Sequence, residues 1–195
     1  LGYVLSDYPE QQSEALCLLE SALSIWNELQ EMHYSEFDTY LATTCDNLGY
    51  LLYKSGDETG AARRYLEEAL SIREKLYETS EQYATDVAWT AFNLGQLLSV
   101  DPQYCEEAEI YFRKSLEIRR DLEQQHPQIY TTNIVFTLVS LAKIVATNTK
   151  RLNEVKQLFD EAVALKSDID SDHIGFFSDD IERDIKILSE LLSHQ

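Results

Sequence analysis

The stretch Asn47-Leu48-Gly49-Tyr50-Leu51-Leu52 decides the architecture, because the chain repeats it. Leu94-Gly95-Gln96-Leu97-Leu98 stands 46 residues after Leu48-Gly49-Tyr50-Leu51-Leu52, and Leu141-Ala142-Lys143-Ile144-Val145 follows 47 residues later. Leu1-Gly2-Tyr3-Val4-Leu5 precedes it by 47. A second block keeps these offsets. Ala15, Leu19, Ala22, Ile25 and Leu29 correspond to Ala62, Leu66, Ala69, Ile72 and Leu76, then to Ala108, Phe112, Ser115, Ile118 and Leu122, then to Val155, Phe159, Ala162, Leu165 and Ile169. Phe37, Tyr83 and Tyr130 align as well, as do Thr44, Thr90 and Thr137. Self-similarity at a fixed period of this size is the signature of a repeat array.

Each repeat carries two apolar stripes. One runs Leu41, Cys45, Leu48, Leu52, with mates Val87, Ala91, Leu94, Leu98 and Ile134, Leu138, Leu141, Val145. Spacings of three and four residues mark one face of an α-helix. The second stripe is the Ala-Leu/Phe-Ala-Ile block. Short breaks at Ser55-Gly56-Asp57, Asp101-Pro102-Gln103 and Thr147-Asn148-Thr149 separate them, which makes the two helices antiparallel neighbours. Gly numbers 6 and Pro 3 in 195 residues, too few for a fold built on tight turns. The spacing predicts helices near 10–32, 36–54, 58–78, 81–99, 104–125, 127–147 and 151–166. Gly49, Gly95 and Ala142 leave no bulk where the second helix crosses the first, and Ala62, Ala69, Ala108 and Ser115 do the same from the other side.

This column pattern resembles the tetratricopeptide repeat, in which a first helix bears Leu-Gly and a second bears Ala, a large apolar residue, and Ala. Asn47-Leu48-Gly49 through Gly56-Asp57 to Ala69-Leu70-Ser71-Ile72 is close to it, as is Asn93-Leu94-Gly95 through Glu106-Glu107-Ala108 to Ile118. The long period is similar to the kinesin-light-chain subtype, whose units also carry His-Pro at their start, as His126-Pro127 does here. The surplus over that subtype is about four residues, one helical turn, expected in the first helix. The resemblance implies an all-α, right-handed superhelical solenoid of antiparallel helix pairs. Its units would be 1–35 (second helix complete, first helix truncated), 36–80, 81–126 and 127–170. Ala142 and Val155 depart from the family pattern in the third full unit.

The ends differ from the middle. Leu1–Leu5 reads as the last turns of a first helix whose start lies before this sequence. Trp26 sits where later repeats have Arg73, Arg119 and Lys166, either as a docking residue or as a half-exposed aromatic. Asp179 and Glu182 form a capping-box-like start. Ile181, Ile185, Leu188 and Leu192 then make one stripe, so 176–195 reads as a C-terminal capping helix.

Charge restricts the partners. Acidic residues number 35 and basic ones 16, for a net charge of −19. Residues 1–53 hold nine Asp or Glu and no Lys or Arg. Such a surface repels phosphate backbones and anionic lipid, so neither nucleic acid nor membrane is expected. Cys17, Cys45 and Cys105 are odd in number and lack CxxC spacing, as in a reducing compartment, which points to the cytoplasm.

No catalytic constellation is present. His33, His126, His173 and His194 form no i, i+3 or i+4 pair, and no phosphate loop, HExxH or Gly-x-Ser-x-Gly occurs. Asp168, Asp170, Asp172 and Asp179 faintly resemble a calcium loop, but Gly175 comes two residues late and His173 takes the sharp-turn place. An acidic turn before a helix N-terminus accounts for them better. No cofactor or metal is expected, and the chain does not read as an enzyme.

In a superhelix of helix pairs the first helices line the concave face. The stripe opposite the packing face is Asp46, Asn47, Tyr50 and Tyr53, then Trp89, Phe92, Asn93 and Gln96, then Phe136, Val139, Ser140 and Lys143. Aromatic rings give contact area at low entropic cost, and amides pair with an extended peptide backbone. The resemblance implies that Asn before Leu-Gly faces bound peptide; Asn47 and Asn93 match this and Ser140 does not. Co-chaperone tetratricopeptide domains hold a C-terminal carboxylate with Lys and Arg on their first helices; the equivalent stripe here has Asp46, Tyr50, Trp89 and Phe136, so no such clamp is expected and a neutral or basic protein segment suits it. The expected function is a non-enzymatic scaffold binding a peptide or helix in this groove. The alternative is a sensor or autoinhibitory arm of a larger multidomain protein, a protease or signalling ATPase. The N-terminal edge could also pair with a second copy as a homodimer.

Overall fold

The computed structural model describes residues 12–32, 35–56, 59–167, 169 and 179–193, and within them every regular element is helical. The readings of Leu1–Leu5, His33, His173, His194 and the acidic run Asp168–Asp172 with Gly175 lie outside the described residues. The chain divides into two compact units, Leu1–Leu97 and Leu98–Gln195.

The first unit contains α1 (Gln12–Glu31), α2 (Asp38–Ser55), α3 (Thr59–Thr79) and α4 (Ala84–Leu98), which runs to the unit boundary. Helix α2 packs on α1 with one side and on α3 with another. Leu41, Ala42 and Cys45 of α2 meet Ala69 and Ile72 near the end of α3, whereas Gly49 meets Ala62 and Leu66 near its start. The pairing numbers rise on one helix as they fall on the other, so α2 and α3 are antiparallel. A Cβ at Gly49 would stand 2.6 Å from Leu66 Cγ and 2.9 Å from the Ala62 carbonyl oxygen. The glycine is therefore what lets the two backbones approach. Gly56 ends α2 in the left-handed conformation (φ 69°), donating its N–H to the Tyr53 carbonyl at 3.1 Å, a stop that favours Gly because it carries no Cβ.

The second unit contains α5 (Cys105–Gln125), α6 (Thr131–Ala146), α7 (Leu152–Ser167) and α8 (Asp179–Ser193). Helix α6 packs on α5, α7 and α8, and α8 also touches α7. Ile181, Asp184 and Leu188 are the buried positions of α8.

One local device opens several helices. Ser80, Asp101 and Asn148 are extended, and their side chains accept the N–H two residues on, from Gln82, Gln103 and Lys150. Each thereby satisfies a backbone donor that the first helical turn cannot. Helix α6 departs from this and from the expected start at 127. Pro127 is followed by Gln128 at φ 72°, and the helix begins at Thr131. Glu123, near the end of α5, supplies the cap: it accepts from the N–H of Gln128 and of Tyr130, both at 2.8 Å, and from the Thr131 hydroxyl. Burial raises this carboxyl's pKa, but the bonds outweigh it and hold the group below its ordinary range. The first helices span 15 to 18 residues, whereas α1, α3 and α5 span 20 or 21. The surplus length expected in the first helices is therefore in α3 and α5, the second ones, while α6 and α7 both span 16 residues.

Candidate peptide-binding surface

In the first unit α2 and α4 are joined by a buried polar cluster. Asp46 of α2 lies 3.2 Å from Arg73 Nη1 of α3, and Asn93 Nδ2 of α4 donates to Asp46 Oδ2 at 3.5 Å. Arg73 also donates to the Thr90 hydroxyl and, at 3.4 Å, to the Asp86 carbonyl. Asp46 is only 4% exposed. Burial pushes its carboxyl above the ordinary range, against the pull of the Arg73 charge and the Asn93 amide. Such a cluster is costly to break, since removing one charge strands the other in a medium that solvates it poorly.

The cluster belongs to a pattern. Trp26 Nε1 donates to the Thr44 hydroxyl at 3.1 Å, Arg73 to Thr90, and Arg119 to Thr137. Each threonine in turn donates to the carbonyl four residues before it, Tyr40, Asp86 or Asn133. Arg119 also donates to the Asn133 carbonyl at 2.8 Å, and burial lowers its guanidinium to about 9. A second helix is thus fastened to the following first helix at the same column three times. The recurrence of Thr44, Thr90 and Thr137 was visible in the sequence; the donors facing them were not. Trp26 additionally stacks on Tyr40 (ring centroids 5.4 Å) and Phe37 (5.8 Å), so it is a half-buried member of an aromatic cluster.

Burial narrows the expected binding stripe. Asn47, Tyr50 and Tyr53 of α2 and Trp89, Phe92 and Gln96 of α4 are half-buried and keep part of their surface. Asp46 and Asn93 are both buried, with Asp46 Oδ2 turned to Asn93 and Oδ1 to Arg73, so neither presents a free face. In the second unit Phe136 is half-buried and Lys143 exposed, but Val139 and Ser140 are buried. Val139 has no exposed surface, so it cannot touch a ligand here. Lys143 Nζ donates to Asp184 Oδ2 of α8 at 2.6 Å, which neutralises the stripe's cation from within the chain. The physical reason in α2 and α6 is that each is covered on more than one side: α2 by α1 and α3, α6 by α5, α7 and α8.

Charge pairs form a second network in this unit, on second helices. Arg151 grips Glu109 with two bonds of 2.6 and 2.7 Å and bonds Glu154 at 2.8 Å, while Arg113 bonds both carboxylates. Arg120 holds both oxygens of Glu161. The Arg151 bonds hold Glu109 below its ordinary range; Glu154 is held low too, its burial outweighed by Arg113 and Arg151. Spacings of 41 and 42 residues fasten α5 to α7 along their lengths.

Cys45 is buried and its thiol is pushed up to about 12 by burial, with the Glu68 and Asp46 charges adding to it. It is a packing residue rather than a nucleophile. Among the described residues no group of three or more His, Cys, Asp or Glu is placed to hold a metal ion, and no helix is long and apolar enough to cross a membrane.

No curated protein matches the chain. A family model described as tetratricopeptide repeat matches residues 41–80. That match covers most of α2, all of α3 and the turn between them. Over this hairpin, where Gly49 meets Ala62 and Leu66, the chain is similar to the tetratricopeptide repeat.

Proposed function

We propose that the chain is a non-enzymatic interaction module, a solenoid of the tetratricopeptide type nearest the kinesin-light-chain subtype, that receives a peptide or helical segment on its first helices. Tetratricopeptide repeats generally mediate protein–protein interaction, and the matched hairpin carries α2, the helix on which half the candidate surface lies. The observation that carries the reading is the half-buried lining of the first unit: Asn47, Tyr50 and Tyr53 on α2, and Trp89, Phe92 and Gln96 on α4. The buried Asp46–Arg73–Asn93 cluster links α2 to α4, which supports reading the two helices as one surface. Rigid positioning of aromatic and amide groups lowers the ordering cost of binding. In the second unit Phe136 and Lys143 occupy the repeat positions of Trp89 and Gln96.

The bound segment is neutral or basic. Residues 1–53 hold no Lys or Arg, Asp38 lies on α2, and the stripe's cation Lys143 is already paired with Asp184. A C-terminal carboxylate would find no clamp in such a lining.

The test replaces Asn47 and Gln96 together by Ala, leaving the buried Asp46–Arg73–Asn93 cluster intact. Pull-downs with wild type and with the double variant are compared beside their melting curves. A protein retained by wild type and lost by the variant, at unchanged Tm, supports the surface. An identical bound set from both proteins overturns it.

A further inference from the structure

Asp46 stands where the repeat has no need of a carboxylate. The fastening of Arg73 to Thr90 recurs as Arg119 to Thr137. Yet the column of Asp46 holds Phe92 one repeat on and Val139 after that, both apolar. An ionisable group is set in a column that apolar packing alone can fill.

Its surroundings suit the neutral form. Asp46 is 4% exposed, and its Oδ1 accepts no hydrogen bond. Arg73 Nη1 lies 3.2 Å from that oxygen but directs its N–H groups to the Thr90 hydroxyl and the Asp86 carbonyl. Oδ2 is met by Asn93 Nδ2 at 3.5 Å, a long contact. Helix α3 presents Arg73, and also Glu68 beside the neighbouring Cys45; α4 presents the Asp86 carboxylate. Helix α1 carries no Lys or Arg, and its Glu14, Glu20, Glu28 and Glu31 are exposed. Burial, and to a lesser degree the Asp86 charge, push the Asp46 carboxyl above the ordinary range; Arg73, Thr90 and Asn93 offset only part of this. A carboxylate so placed is relieved by a proton or by water.

We propose that Asp46 is a proton-operated clasp between α2 and α4: protonated, it lies closed among Arg73, Thr90 and Asn93; ionised, it makes the junction open towards water more often. The closed junction binds the proton more tightly than the opened one. The advantage of closure is therefore full below the ordinary Asp pKa of about 3.9 and is lost as pH rises through the closed-state value. The consequence for binding rests on the first-helix reading above: acid steadies the α2–α4 lining, so a segment held there is held more tightly at pH 5 than at pH 8.

The test needs no partner, so its failure is distinct from failure of the pull-down. Amide hydrogen exchange of the 195-residue chain is followed by mass spectrometry from pH 4 to pH 8, with each rate divided by its intrinsic value. Protection of α2 and α4 is expected to fall as pH rises, by up to about tenfold per pH unit while one proton is released, and then to level off. Asp46→Asn should show no such slope, nor should Asp46→Val, which installs the residue that α6 has in this column. The wild-type chain is also titrated by NMR on the carboxyl carbon of Asp46, a readout independent of whether any variant folds. Its midpoint should lie above the ordinary value of about 3.9. A flat wild-type profile, protection that rises with pH, a midpoint at or below that of an ordinary Asp, or a slope that both Asp46 variants retain overturns the proposal. So does a slope removed instead by His33→Gln, at the one histidine of residues 1–97.

Discussion

Replacing Gly49 by Ala tests the contact on which the α2–α3 hairpin rests. Two effects oppose each other. Alanine is the better helix former, by about 1 kcal/mol in a helix interior. Against this, the new methyl would sit 2.6 Å from Leu66 Cγ, 2.9 Å from the Ala62 carbonyl oxygen and 3.0 Å from Leu66 Cδ2. Carbon atoms pack best at roughly 3.5–4.0 Å, so the nearest overlap approaches an ångström. Leu66 is 1% exposed and has nowhere to swing, and the Ala62 oxygen belongs to the backbone. The helices must part, and overpacking of this kind costs about 1–3 kcal/mol. With both obstacles rigid the upper half of that range applies, so the net effect is a loss of roughly 1–2 kcal/mol. For a chain of this size that lowers Tm by about 2–8 °C. Gly60→Ala is the control of opposite sign. It stands in the first turn of α3 with nothing within 4 Å of a new Cβ. There the same chemical change should stabilise by about 0.4–1 kcal/mol. Thermal melts followed by circular dichroism at 222 nm, repeated in urea, read both variants. If Gly49→Ala melts at or above wild type while Gly60→Ala gains as expected, the helices do not meet at Gly49 as described, and the small-residue columns do not mark crossing points.

Three other outcomes are expected. Arg73→Met strands the Asp46 carboxylate and should cost about 3–5 kcal/mol in urea unfolding; pairing it with Asp46→Leu should restore part of that loss, and simple additivity would argue against the coupling. Glu123 has its folded pKa held below the unfolded value, so its contribution is present above the unfolded pKa of about 4.3 and disappears as pH falls through the folded one. Glu123→Gln should therefore be less stable than wild type at pH 7, and the gap should close on acidification; a gap constant between pH 7 and pH 2 refutes the capping role. Cys45 should resist a thiol reagent at pH 8 in the native chain while exposed Cys17 reacts, and should become labelled only in denaturant, as peptide mass spectrometry would show.

The helical hairpin was legible because its determinants are close in sequence and recur. Gly49 needs only Ala62 and Leu66 opposite it, and all three stand in columns that the repeat displays. The start of α6 was less legible, since the reading placed it at Pro127 and the chain spends Gln128 on a left-handed turn. What permits that turn is Glu123, whose reach back from α5 depends on how the two helices lie together. The same limit hid the fastening of each threonine column. Thr90 and Arg73 are 17 residues apart on different helices, and Trp26 donates to Thr44 at the column where the later repeats use arginine. The repeat puts Trp26, Arg73 and Arg119 in one column but does not show what they face; the structure shows three donors to one kind of hydroxyl.

The binding stripe shows why periodicity assigns a core face more securely than a binding face. A stripe of Leu41, Cys45, Leu48 and Leu52 defines one buried side, and periodicity alone makes the opposite side the lining. A helix held on a single side would obey that inference. Helix α2 is held by both α1 and α3, and α6 by α5, α7 and α8, so two or three sectors of the circumference are used. Residues at the margins of the opposite sector, Asp46 on α2, Asn93 on α4, and Val139 and Ser140 on α6, then fall into packing. Polar side chains in that position find partners within the chain, as Asp46 does in Arg73 and Asn93.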